Sequence, residues 1–213
     1  MRTDELIDTL AADLKPVRPS AMTTALFIGL LCGAVAATGL MLGWLGLRPD
    51  LSFAVHTPPF WMKLVYTALL GLIGFFLADR AGRPGAKLMP VSLLILLAVG
   101  MIAALGVEQM MRAPRMLWRA MFLGSSYQVC PWRIVVISIP VLIAVLLMLR
   151  RMAPTRPVIA GAVAGLLAGG AGASVYGLHC AESSAAFTAF WYTLGVAATA
   201  GLGALAGRFA LRW

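Results

Sequence analysis

A chain of 213 residues with 61% apolar and 12% charged residues is too apolar for a water-soluble domain and too short for two membrane domains, so one compact bundle is expected. The net charge of +9 raises a nucleic-acid reading. The basic residues flank apolar segments, however, where they hold a protein's orientation across a bilayer, and direct nucleic-acid binding is not expected.

Residues 1–20 are polar and differ in character from everything that follows. Thr3 suits an N-cap, with Asp4 and Glu5 at the positive end of a helix dipole. Leu6, Ile7, Leu10 and Leu14 fall on one face of that helix, Asp4, Asp8 and Asp13 mostly off it, and Pro16 ends it. An isolated helix this short is marginal in water, so a partner surface is expected. Its acidic side argues against anionic lipid and for a protein.

Six apolar segments follow: Ala21–Leu47, Phe60–Ala78, Leu88–Val107, Trp132–Leu149, Val158–Leu178 and Ala185–Gly207. Each approaches or exceeds the roughly 20 residues that cross a bilayer core. The first is longer than a signal-peptide core and is read as a retained span. Pro140 predicts a kink in the fourth. The fold class is therefore an all-α integral membrane protein, a six-transmembrane-helix bundle spanning residues 21–213, preceded by the separate segment 1–20.

Orientation follows from Lys and Arg. With the N-terminus inside, the cytoplasmic pieces hold Arg2, Lys15, Arg18, Arg80, Arg83, Lys87, Arg150, Arg151, Arg156, Arg208 and Arg212. Arg48, Lys63, Arg112, Arg115, Arg119 and Arg133 fall on the other side. That balance places both termini in the cytoplasm. The one long connection, Glu108–Val129, interleaves Met110, Met111, Met116, Trp118 and Met121 with three of those arginines. It is read as a short interfacial helix in which arginines snorkel and Trp118 anchors. Small residues recur every fourth position at Gly161, Gly165, Gly169, Ala173 and Gly177, again at Gly195, Thr199, Gly203 and Gly207, and at Gly29 and Gly33. Such stripes let helix backbones approach closely, within one chain or between chains, so homo-oligomerisation stays open.

Chemistry has few candidates. Apart from Arg133 at the very edge of the fourth span, Lys63 is read as the one charged residue inside a span, near its outer end where it can snorkel, and spans so empty of charge count against a transporter. Nucleotide-binding, metalloprotease and Ser-His-Asp patterns are absent from plausible contexts, no cofactor is implied, and an enzyme is not expected. Cys32 falls mid-span and is read as a packing residue. Cys130 and Cys180 instead stand at span boundaries on the non-cytoplasmic side, as do His56 and His179. Three readings compete for the pair. A structural disulfide leads on the residues alone; a regulatory thiol pair and a metal site using Cys130, Cys180 and His179 are the others. The missing CxxC makes a disulfide-exchange enzyme weaker still.

Several short stretches occur together in a fixed order. These are Thr-Asp-Glu-Leu-Ile-Asp-Thr-Leu-Ala-Ala-Asp-Leu-Lys-Pro-Val-Arg-Pro at 3–19, Leu-Gly-Leu-Arg-Pro-Asp-Leu at 45–51, Phe-Trp-Met-Lys-Leu at 60–64 and Cys-Pro-Trp-Arg-Ile at 130–134. Leu-His-Cys-Ala-Glu at 178–182, Phe-Trp-Tyr-Thr-Leu-Gly at 190–195 and a terminal Leu-Arg-Trp complete the series. In these the chain resembles the NrsF family of bacterial membrane anti-sigma factors, negative regulators of the extracytoplasmic-function sigma factor SigF. One departure is Ala181, where the family pattern has proline after the cysteine.

The resemblance implies a multi-pass protein of the bacterial inner membrane that holds a sigma factor inactive and itself touches no DNA. It also implies that the two periplasmic cysteines of the family's stress response are Cys130 and Cys180, which moves the reading from structural disulfide to thiol sensor of oxidant or heavy metal. Leu6, Ile7, Leu10 and Leu14, with Asp4 and Asp8, are then the expected sigma-factor contacts. The competing readings are an integral-membrane thiol or quinone redox enzyme and a small transporter.

Overall fold

The computed structural model describes Thr3, Glu5, Ala12 and residues 20–83 and 89–212. Among these, α1 spans Ala21–Trp44, α2 is a single turn at Leu51–Ala54, and α3 spans Pro58–Ala81. Helix α4 covers Met89–Arg112, and a 3₁₀ turn at Arg115–Leu117 leads into α5 at Trp118–Leu123. Helix α6 covers Cys130–Arg150, α7 covers Pro157–Tyr176 and α8 covers Ala185–Ala210, with a π-helical turn at Thr188–Tyr192. No strand occurs among the described residues, and α1, α3, α4, α6, α7 and α8 are long and apolar enough to cross a membrane.

Proline and glycine set the boundaries. Prolines occupy the first turns of α3, α6 and α7, where the missing N–H has no helical acceptor to lose. Beyond α1, Gly46 takes a φ of 72°, a left-handed turn that comes easily to a residue without a side chain. Pro140, expected as a kink, sits inside a continuous α6.

Helix α7 is the hub, packing most extensively on α8 and then on α3 and α6. The glycine stripes explain why. A Cβ on Gly165 would lie 2.6 Å from the Cα of Ala200, and one on Gly203 would lie 2.8 Å from the Cα of Gly165. On another face of α7, a Cβ on Gly74 of α3 would lie 2.7 Å from the Cα of Leu167. Backbones therefore meet where side chains would otherwise stand, the arrangement small residues permit in lipid. Gly33 plays the same part between α1 and α6, facing the Cα of Val141. The stripes at 161–169 and 195–207 are thus consumed within one chain. Hydroxyls buried in this packing bond back to their own helices, as Ser138 does to the Ile134 carbonyl and Thr199 to that of Gly195. Helix α4 lies at the periphery, with Leu93, Leu96, Leu97 and Met101 exposed on its outer face.

The helices run alternately up and down, so the bundle has two distinct ends. At one, the Thr23 hydroxyl in the first turn of α1 donates to Asp79 of α3 at 2.7 Å, and Arg83 bonds both. At the other end, the connections 45–57, 113–129 and 177–184 come together.

Candidate thiol site at one end of the bundle

Chain connectivity alone brings both boundary cysteines to the second end. Cys130 opens α6, its N–H donating to the Ser126 carbonyl, and Cys180 follows the last turn of α7, its N–H donating to the Tyr176 carbonyl. Both thiols are free and buried, at 0% and 3% exposure. They share one side-chain cluster. The Cys130 thiol lies near the Tyr176 side chain. The Cys180 thiol lies near the side chain of Tyr192, whose ring lies 5.8 Å from that of Tyr176. A thiol is a weak partner, and among the described residues the fully buried Tyr192 hydroxyl makes no well-formed hydrogen bond. Arg133, three residues after Cys130, lies near the Tyr176 hydroxyl.

The connection 177–184 is held from four sides. From α3, Lys63 Nζ donates to the carbonyl of Cys180 at 2.8 Å and to that of Glu182 at 2.9 Å. The ammonium also stands 5.6 Å from the Tyr192 ring centre. Lys63 is 2% exposed, which corrects the expectation that it snorkels to the surface. Three donors with two carbonyls and a ring face in front of them give a buried ammonium a reason to stay.

From the first connection, the Arg48 N–H bonds the Leu178 carbonyl at 3.3 Å, and His179 Nδ1 pairs with the Gly46 carbonyl at 3.0 Å. Arg48 also grips Asp50 through two nitrogens, at 2.7 and 2.6 Å. The hydrogen bond from Arg48 holds the Asp50 carboxyl below its usual range, and the same bond pushes the guanidinium above its own.

From the third connection, one carboxylate oxygen of Glu182 accepts from the N–H and hydroxyl of Ser125, both at 2.7 Å, and from the Ser126 hydroxyl at 3.2 Å. Gly124, at φ 57°, lies so close that any Cβ there would collide with that carboxylate. From α4, Gln109 accepts the Ala185 N–H at 2.9 Å. Trp191 closes the rim, donating to the Phe122 carbonyl and stacking against Tyr127.

Of the residues named from sequence, the structure unites Cys130 and Cys180. His179 lies next to Cys180 with Nδ1 on the Gly46 carbonyl, and no group of three His, Cys, Asp or Glu among the described residues is arranged to hold a metal ion. His56 is exposed before α3, and Cys32 is exposed on the outside of α1. Leu6, Ile7, Leu10, Leu14, Asp4 and Asp8 lie outside the described residues; Thr3, Glu5 and Ala12 from the same segment are helical and exposed. Sequence reading did not single out Glu182, Tyr176, Tyr192 or the Ser125–Ser126 pair. Both thiols are buried, so reagents reach them only when the structure around them opens.

The family model for NrsF, described as negative regulator of sigma F, matches residues 10–213. The chain is 44% identical over 218 residues to the anti-sigma-F factor NrsF of Caulobacter vibrioides, covering all of both chains. It is 42% identical over 215 residues to the probable anti-sigma-F factor NrsF of Azospira oryzae, again covering both completely. No solved structure matches it.

Proposed function

The chain belongs to the NrsF family, and on that premise we propose that it is a membrane anti-sigma factor of the bacterial inner membrane whose sigma-factor hold is broken by a thiol-directed signal. Both termini lie in the cytoplasm. The segment Thr3–Leu14 binds an extracytoplasmic-function sigma factor through Leu6, Ile7, Leu10 and Leu14, with Asp4 and Asp8 flanking them. Sequestration keeps the sigma factor from core RNA polymerase, so the protein needs neither nucleic-acid contact nor catalysis. The observation that carries the anti-sigma reading is the family match running through the whole bundle, at more than 40% identity to two relatives bearing that name.

The thiol part rests on a further observation. Two free cysteines, fifty residues apart in the chain, are buried in one cluster at the end where three connections meet. An oxidant or a thiophilic heavy-metal ion acting on Cys130 and Cys180 changes the packing at the connection 177–184, because both thiols are buried and close-packed interiors yield little room for an added substituent. Release of a moderately held sigma factor requires a coupling of about 1–3 kcal/mol.

The test replaces Cys130 and Cys180 with serine, singly and together, and measures sigma-dependent transcription under oxidant and heavy-metal stress. Loss of induction with repression intact is expected; undiminished induction removes the sensor. Changing Leu6, Ile7, Leu10 and Leu14 to alanine is expected to abolish repression and co-purification of the sigma factor. Retention of both removes the proposed binding face.

A further inference from the structure

Lys63 and Asp79 sit on one unbroken helix, α3, about 24 Å apart at ~1.5 Å per residue. Each is tied to an element that the proposed function needs to communicate. Lys63 holds the backbone on either side of Ala181, directly beside the Cys180 thiol. Asp79 accepts from Thr23, in the first turn of α1, which follows the segment 1–20 in the sequence. Resting on the anti-sigma reading above, we infer that Lys63 and Asp79 are positioning residues, and that α3 carries a displacement of the thiol connection to the root of the N-terminal segment.

The physical reason begins at Lys63. A buried ammonium whose donors are taken by two backbone carbonyls and a ring face cannot be left behind when those carbonyls move, since an unpaired buried charge is costlier than a small helix shift. The helix must therefore follow, or the connection must stay. Along its length α3 meets α7 by backbone contact at Gly71 and Gly74 and by the Thr67–Ser174 hydroxyl pair at 2.9 Å. Such a smooth contact admits small sliding between packed helices and resists separation. At the far end the Asp79 carboxylate, also bonded by Arg83, passes any shift to Thr23. Thr23 is the third residue of α1.

Reciprocity tests this without the sigma factor. Purified full-length protein in detergent is compared with Thr23→Val, which keeps side-chain size and the Asp79–Arg83 pair, and with Lys63→Met. Two rates are read: alkylation of Cys180 by N-ethylmaleimide, from its peptide mass, and hydrogen exchange over residues 20–26. Thr23→Val is expected to change Cys180 alkylation, and Lys63→Met to change exchange at residues 20–26, each by about fivefold or more. Exchange at the centre of α8 stays unchanged, and Lys63→Arg restores wild-type exchange. If each substitution alters only its own end, the inference is overturned. The same holds if exchange rises equally throughout the protein, because that marks general loosening. Should Lys63→Met not accumulate, the effect of Thr23→Val on Cys180 decides alone. A wild-type chain that fails to repress transcription sinks the anti-sigma reading instead, and neither rate depends on it.

Discussion

The ammonium of Lys63 donates to the carbonyl of Cys180 at 2.8 Å across 117 residues of chain. A span residue thus grips the backbone of the connection that carries Cys180. The connection is thereby tied to α3, and Cys180 within it belongs to the bundle's core. The expected behaviour of the site follows from how that connection is held.

Sidedness is read from exposed neighbours of the thiols, since Cys130 and Cys180 are themselves buried. Ser183 in the connection 177–184 and Arg156 before α7 are exposed at opposite ends of the bundle. In intact cells, Ser183→Cys is expected to react with a membrane-impermeant maleimide and Arg156→Cys is not. The reverse pattern would put the thiol end in the cytoplasm and end the proposed signalling scheme.

Glu182 fastens the connection 177–184 to the third connection through three hydrogen bonds to one oxygen. Bonds to a carboxylate contribute more than neutral ones, so Glu182→Ala is expected to cost about 1–3 kcal/mol. It should also speed alkylation of Cys180 measurably. Glu182→Gln keeps an acceptor and is expected to fall between. Equal rates in all three proteins would show that the carboxylate does not hold the connection 177–184.

Gly165 has the Ala200 Cα 2.6 Å from where its Cβ would be, whereas around Gly39 nothing lies within 4 Å. Gly165→Ala must push α7 and α8 apart and is expected to cost about 1–3 kcal/mol, the usual range for overpacking. Gly39→Ala, on an exposed helix face, should be neutral or slightly stabilising. Thermal unfolding in detergent compares the two, and equal midpoints would contradict the backbone contact.

The Arg48–Asp50 pair gives a pH dependence with a defined sign. Bonding to Arg48 lowers the Asp50 carboxyl from its usual 3.8. The stabilisation is therefore complete above that value and is lost as pH falls through the lowered one. Carboxyl-carbon NMR on labelled aspartate is expected to put the Asp50 midpoint below 3.8 in the wild type and near 3.8 in Arg48→Ala. An unchanged midpoint would mean the pair does not persist in solution.

Much of the architecture is legible in the chain because a bilayer imposes a simple code. Apolar length marks the spans, and α6 differs from the expected Trp132–Leu149 only by a few residues at its ends. The glycine stripes announce close packing, though periodicity alone cannot distinguish partners within one chain from partners in another. Cys130 and Cys180 stand out by type and boundary position. Lys63 is visible too, but its environment is not: a lysine one turn inside a span reads as snorkelling unless the fold supplies acceptors, and those acceptors are backbone carbonyls from the other end of the sequence. Glu182 is harder to find, because its partners Ser125 and Ser126 carry no pattern that distinguishes them from ordinary loop residues.

The backbone contact between α7 and α8 has a mechanical consequence. These two helices lead into and out of the connection 177–184, yet with Gly161, Gly165, Gly203 and Gly207 in mutual contact they form a stiff hairpin that cannot scissor open. Strain introduced near Cys180 then finds little relief in the two arms that carry it, and passes sideways to α3 and α6, which pack against them.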